Sequence, residues 1–151
     1  MNKTVFYILS LTWGLPMTLI GAVAGLVLRL AGKRPGRWGA CWHFCTGKGW
    51  GGVSLGLVMI TCENPGRHIK DHEHGHAVQN CCFGPLMPFM VCIPSVVRYW
   101  YREYRKRIGK PCSTGYDDIW FEGQASRVGA LYAGKWEGDT GSYQWAEDAA
   151  L

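Results

Sequence analysis

The pattern of apolar and polar positions opens with a run that carries no charge from Thr4 to Leu28, 25 residues. As one helix, even tilted or bent at Gly14-Leu15-Pro16, that length crosses a hydrocarbon core of about 30 Å. Trp38–Cys45 reads as a strand. The glycine-rich turn Thr46–Gly52 leads to the apolar, β-branched run Val53–Thr61, which stops before Asn64-Pro65-Gly66. The two runs predict an antiparallel hairpin. A second charge-free stretch, Ala77–Val97, is interrupted by Pro85, Pro88 and Pro94, which argues against a straight spanning helix. A re-entrant or interfacial segment and a buried loop are the readings left open, with contact at a membrane surface preferred. Ser95–Ile108 predicts an amphipathic helix. Val97, Trp100, Tyr101, Tyr104 and Ile108 follow helical spacing, and Arg98, Arg102, Arg105 and Lys106 take the remainder. Tyr116–Gly129 reads as a short helix opened by an aspartate cap. Beyond Gly134 the chain is acidic and polar without a sustained period. The expected organisation is therefore a membrane anchor helix over 1–31, an α+β domain over 32–133 and an acidic tail over 134–151.

Composition sharpens the membrane expectation. Hydrophobic residues make up 48% and charged residues only 18%, with eight tryptophans, a balance unlike that of an ordinary soluble domain. Lys3 and Ala22-Val23-Ala24 give the first run some character of a cleaved leader, but it continues through Leu28 and is longer than a leader's core. Arg29, Lys33, Arg34 and Arg37 follow it, against Lys3 before it, which places the remainder of the chain on the cytoplasmic side. Basic side chains among aromatics in 95–108 suit anionic lipid headgroups better than nucleic acid, which is not expected as a partner. The bland reading of that segment is a solvated charged face over a core stripe. The seven cysteines include no C-x-x-C pair, so neither a zinc ribbon nor a thioredoxin-like motif is supported. Gly47, Gly49 and Gly52 match G-x-G-x-x-G in spacing, but a strand follows them and not a helix, which removes the nucleotide-binding reading.

The chemistry concentrates in His72-Glu73-His74-Gly75-His76. Residues four apart share a helix face, so His72 and His76 present two imidazoles to one metal ion. Glu73 stands one step around the helix, within reach of a water on that metal. Zinc suits such ligands. Glu122 is the expected third ligand. Glu122, Ala125, Ser126 and Gly129 share one face of the later helix, and all but the glutamate are small. Gly75 costs roughly 1 kcal/mol within a helix relative to alanine. Close packing of the two helices explains both oddities and brings Glu122 to the imidazoles. His74 points away from this face and is expected to face solvent or to support a ligand. His68 and His43 are not expected as ligands. Asn80, one turn further along, is a candidate for orienting substrate, and Trp120 and Phe121 are expected in the core.

His-Glu-x-Gly-His followed by a glutamate-bearing helix resembles the gluzincin-type zincin metallopeptidases. More narrowly, HEHGHAVQN, FGPLMPF, IPS and YDDIWFEGQA resemble small bacterial membrane proteins that share HExGHxxQ and FGPL motifs, over roughly residues 35–130. The resemblance implies a Zn2+ site of His72, His76 and Glu122, Glu73 as the catalytic acid–base, a peptide or protein substrate, and a strand before the metal helix that pairs with extended substrate. Many gluzincins carry an aspartate four residues after the ligand glutamate. Here that position is Ser126, which can accept a hydrogen bond from an imidazole instead. Two non-enzymatic readings stand beside this one: a metal that staples two helices together, and a membrane adaptor that works through 95–108.

Overall fold

The charge-free N-terminal run forms two helices. In the computed structural model, which describes residues 1–137, α1 (Lys3–Leu11) and α2 (Leu15–Leu30) meet at 90° across Thr12-Trp13-Gly14. Asn2 caps α1 by accepting from the Val5 N–H, and Pro16 stands in the first turn of α2, where no N–H is needed. The 16 residues of α2 rise about 24 Å, less than a hydrocarbon core. Among the described residues, no single helix is long and apolar enough to cross a membrane, so the expected single spanning helix is corrected to a bent pair. Met17, Thr18, Gly21 and Gly25 turn toward the protein, while Leu19, Ile20, Val23, Leu26, Val27 and Leu30 are exposed on the other side.

The sheet also departs from expectation. Its strands are β1 (Gly36–Trp38), β2 (Cys41–Cys45), β3 (Gly52–Leu55) and β4 (Val58–Thr61), in the order β1-β2-β4-β3. Each predicted long strand breaks at a glycine with positive φ, Gly39 at +57° and Gly56 at +64°, and folds back on itself as a tight hairpin. The two hairpins then join through parallel pairing of β2 with β4, which replaces the antiparallel hairpin expected between the two runs. β3 is left at an edge, against the helix that carries His72 and His76.

That helix, α3, runs from Arg67 to Phe83. A 3-10 turn (Gly84–Leu86) and a π-helical turn (Pro88–Cys92) carry the chain through 117° into α4 (Ile93–Arg107). Each of the three prolines sits in the first turn of one of these elements, so they start new helical segments and bend the stretch. α4 buries none of its residues. Its predicted apolar stripe lies on no core: Val97 is 62% exposed, Trp100 59% and Ile108 47%. α5 (Trp120–Glu137) begins later and runs further than predicted, so the first residues assigned to the tail are helical. The rest of that acidic stretch lies outside the described residues. Ile119 accepts from the N–H groups of Glu122 and Gly123 at the helix start, and Asp118 accepts from the Gly115 N–H at 2.6 Å instead of capping α5.

The expected close packing of α3 on α5 is present. A Cβ added at Gly75 would collide with the Ala125 carbonyl oxygen, and one added at Gly129 would collide with the Asp71 carbonyl oxygen. Backbone lies directly on backbone. Phe6, Ala40, Cys41, Met59, Ala77, Val78 and Cys81 form the core behind this contact. Gly75→Ala is therefore expected to lower stability by about 1–3 kcal/mol, because the helices must move apart. Gly51→Ala, where an added methyl meets nothing within 4 Å, should change it by no more than about 0.5 kcal/mol. Urea denaturation of the two variants checks the contrast.

Candidate metal centre

The helical contact brings together side chains separated by 46 to 50 positions in the chain. His72 Nε2 lies 3.1 Å from Glu122 Oε2, His76 Nε2 lies 3.2 Å from the same oxygen, and the two imidazole nitrogens are 3.1 Å apart. One ligand atom from each of the three residues falls within 4.8 Å of the others. The three predicted ligands thus converge.

The surrounding hydrogen bonds set the orientation of both rings. Ser126 Oγ donates to Asp117 Oδ2 at 2.9 Å, which leaves its lone pairs to accept from His72 Nδ1 at 2.8 Å. Gln79 donates from Nε2 to the Phe121 carbonyl at 2.7 Å, so its Oε1 accepts from His76 Nδ1, also at 2.8 Å. With both Nδ1 atoms acting as donors, the Nε2 atom of each neutral ring carries a lone pair directed at the other ring and at a carboxylate. Three electron-rich atoms then face one point, which requires a cation or protons between them. Glu122 is wholly buried, and its Oε1 has no hydrogen-bond partner.

The electrostatics agree with that geometry. Burial pushes the Glu122 carboxyl up, but its contacts with His72 and His76 outweigh it and hold the group well below the usual carboxylate range. Burial pushes His76 down, and the Glu122 contact with the neighbouring Glu73 charge outweighs it, so the net shift is upward. The cluster attracts positive charge. Two imidazoles and one buried carboxylate, each held by a further hydrogen bond or by burial, fit a divalent transition metal.

Glu73 is 5% exposed, and burial raises its pKa. Its Oε2 has no partner, and β3 presses on the side chain so closely that a Cβ at Gly52 would lie 2.7 Å from Oε1. Glu73, His72 and His76 line a cavity of about 760 Å³ together with β3 and the inner flank of α4. Tyr116 joins it from the loop before α5. Its hydroxyl lies 2.9 Å from Ser95 Oγ, and burial pushes its pKa up to about 12.

Other expectations are corrected or refined. His74 faces neither solvent nor the cluster; it is fully buried between Phe6 and Trp136, and burial lowers its pKa to about 4. Asn80 does not line the cavity. It donates to the Gly14 carbonyl at 3.1 Å and ties α3 to the bend between α1 and α2. Phe121 is in the core as expected, but Trp120 is 53% exposed. His43 bonds Thr61 Oγ1, and His68 lies 3.4 Å from Asp117; neither belongs to the cluster. Two of the arginines expected to meet lipid headgroups also hold the loop before α5. Arg98 Nη2 donates to the Gly115 carbonyl and Arg102 Nη1 to that of Thr114, both at 2.7 Å. Gln79 stands in the HExGHxxQ motif and Tyr116 and Asp117 in YDDIWFEGQA, but the sequence assigns none of the three a role at the cluster, because motif and cap spacing do not show which side chains turn toward the imidazoles. No protein-family model, curated protein or solved structure matches the chain.

Purified wild-type protein dialysed against zinc is expected to retain one equivalent, and Glu122→Ala to lose it. Ser126→Ala should weaken metal affinity by about 10- to 100-fold by freeing the His72 ring. Elemental analysis and chelator competition measure both effects.

Proposed function

We propose that this protein is a membrane-attached, zinc-dependent hydrolase of peptide bonds, of the gluzincin type that its motifs resemble. The observation that carries the reading is the pairing of a converged His72-His76-Glu122 cluster with a buried Glu73 carboxylate, one oxygen of which has no hydrogen-bond partner, on the same cavity. A metal that only stapled α3 to α5 gives no reason to bury a second acidic group with one oxygen left without a hydrogen bond, at a cost of several kcal/mol if it is charged.

Zinc held by His72, His76 and Glu122 would supply a Lewis acid and lower the pKa of a coordinated water to about 7. The remaining work belongs to the chain. Glu73, with its pKa raised by burial, takes a proton from the attacking water onto its carboxylate and passes it to the leaving amine nitrogen as the C–N bond breaks. Tyr116 stays protonated at neutral pH and is available to donate a hydrogen bond to the oxyanion that develops on the carbonyl. β3 is an edge strand that lines the cavity, so an extended peptide has backbone partners beside the reacting bond.

Membrane attachment is read from the surface. Leu19, Ile20, Val23, Leu26, Val27 and Leu30 on α2 and Phe89, Met90, Ile93 and Val97 around the start of α4 are all exposed, more apolar side chain than a water-facing surface usually presents. Arg29 in the last turn of α2 and Lys33, Arg34 and Arg37 after it match an anionic, cytoplasmic lipid face. The bent α1–α2 pair would then embed in the bilayer with the metal domain on the cytoplasmic side.

Glu73→Gln is expected to lower peptide turnover by about 10²–10⁴-fold with metal content and helicity unchanged. A wild-type protein that holds zinc and turns over no peptide would favour the staple. Co-flotation with anionic vesicles should be lost in the triple variant Leu19→Glu, Val23→Glu, Val27→Glu. Flotation that persists in it would remove α2 as the attachment element.

A further inference from the structure

The cavity over the cluster is far larger than an ion and a water require. At about 760 Å³ it falls within the roughly 300–1,000 Å³ typical of pockets that enclose an organic ligand. Its composition is uneven. Polar lining comes from α3 and β3 (Glu73, the two imidazoles and Ser54), from Ser95 on α4, and from the loop 115–118 that includes Tyr116. An apolar wall comes from the reversal after α3 and from α4: Met87, Val91, Val96, Tyr99 and Trp100. Cys92, Ser95, Val96 and Tyr99 recur at helical spacing, so one continuous flank of α4 forms that wall. Ser54 Oγ is a further buried atom without a hydrogen-bond partner on the cavity lining.

We propose that this wall is a specificity pocket, and that the substrate is a peptide with a bulky apolar residue, leucine- or phenylalanine-like, next to the cleaved bond. The inference rests on the metal-hydrolase reading above. The occupant is a peptide and not an acyl chain, because β3 lines the cavity at the edge of the sheet, and its register with β4 turns the backbone groups of Gly52 and Ser54 to the outer side, away from β4. An acyl chain has nothing to give those N–H and C=O groups, and their desolvation would go uncompensated. An acidic side chain is excluded by the same apolar lining and by Glu73 and Glu122 nearby. The wall also tells against a small residue, which would leave the cavity largely unfilled.

Binding of chelating probes to the zinc-loaded, full-length wild type tests this without requiring turnover. The probes are dipeptide hydroxamates that place glycine, leucine, phenylalanine or aspartate beside the chelating group, together with lauroyl hydroxamate, which has no peptide; isothermal titration reads each Kd. Leucine and phenylalanine are expected to bind about 10- to 100-fold more tightly than glycine, and aspartate no more tightly than glycine. Val96→Glu and Tyr99→Asp both alter half-exposed positions on the wall, and each should bring the phenylalanine-to-glycine ratio toward parity with zinc content retained. Equal binding of glycine and phenylalanine by wild type would overturn the specificity pocket and leave the metal reading intact. Lauroyl hydroxamate binding more tightly than every peptide would overturn it in favour of a lipid substrate. Failure of all five probes to bind a protein that holds zinc would overturn both the pocket and the hydrolase.

Discussion

The structure depends on two helices lying closer than side chains normally permit. Gly75 on α3 and Gly129 on α5 leave no room for a methyl group, so each helix rests on the other's carbonyl oxygens. Helix axes usually stand about 8–10 Å apart, at a distance set by the side chains between them. Removing those side chains lets the backbones approach, and everything at the cluster follows from that approach. Glu122 reaches both imidazoles because α5 is held against the face that carries them. The same approach encloses the carboxylate completely, so it must be matched by positive charge close at hand. Packing and electrostatics are therefore one constraint here: the contact that stabilises the fold creates the demand for a cation.

Around the ligand atoms lies a ring of orienting contacts drawn from three segments. Gln79 on α3 holds His76, Ser126 on α5 holds His72, and Asp117 in the loop before α5 holds Ser126. In the gluzincins that the motif resembles, an aspartate often stands where Ser126 does. Here the carboxylate lies one hydrogen bond further out, which places part of the support in a loop instead of a helix. That loop is tied in turn to α4, through Arg98 and Arg102 on its backbone carbonyls. The basic residues that suggested lipid headgroups are thus committed, at least in part, to holding the cluster's support in place.

The triad was legible in the sequence because it rests on local facts: a four-residue spacing, a costly mid-helix glycine and a stripe of small residues around one acid. Each survives translation into three dimensions without knowledge of any other element. The sheet was less legible. Glycines at 39 and 56 read as interruptions within strands, whereas their positive φ makes them turns, and nothing local indicates that the two hairpins pair in parallel. His74 was misplaced because spacing on α3 assigns it to the face opposite the ligands and says nothing about what covers that face. Phe6 and Trp136, from the two ends of the described chain, do so. A bend at Gly14-Leu15-Pro16 was legible, but not a 90° break into two helices, for a similar reason. Hydropathy is high on both sides of Gly14, and the anchoring bond comes from Asn80, 66 positions away.

α4 remains the least self-explanatory element, and its two flanks make sense together. A helix with no buried residue and several exposed aromatics is not stabilised by a core of its own. It is held at its start by the proline-led reversal after α3 and along its length by arginine contacts to the loop before α5. One flank closes the cavity. Another carries Ile93 and Val97 into the same exposed apolar surface as Phe89 and Met90. On the membrane-attached reading, these side chains leave water and the helix gains the burial that the protein alone does not provide. The lipid surface then acts as a packing partner for one wall of the site. The shape of the pocket and attachment to the bilayer become linked properties of a single helix.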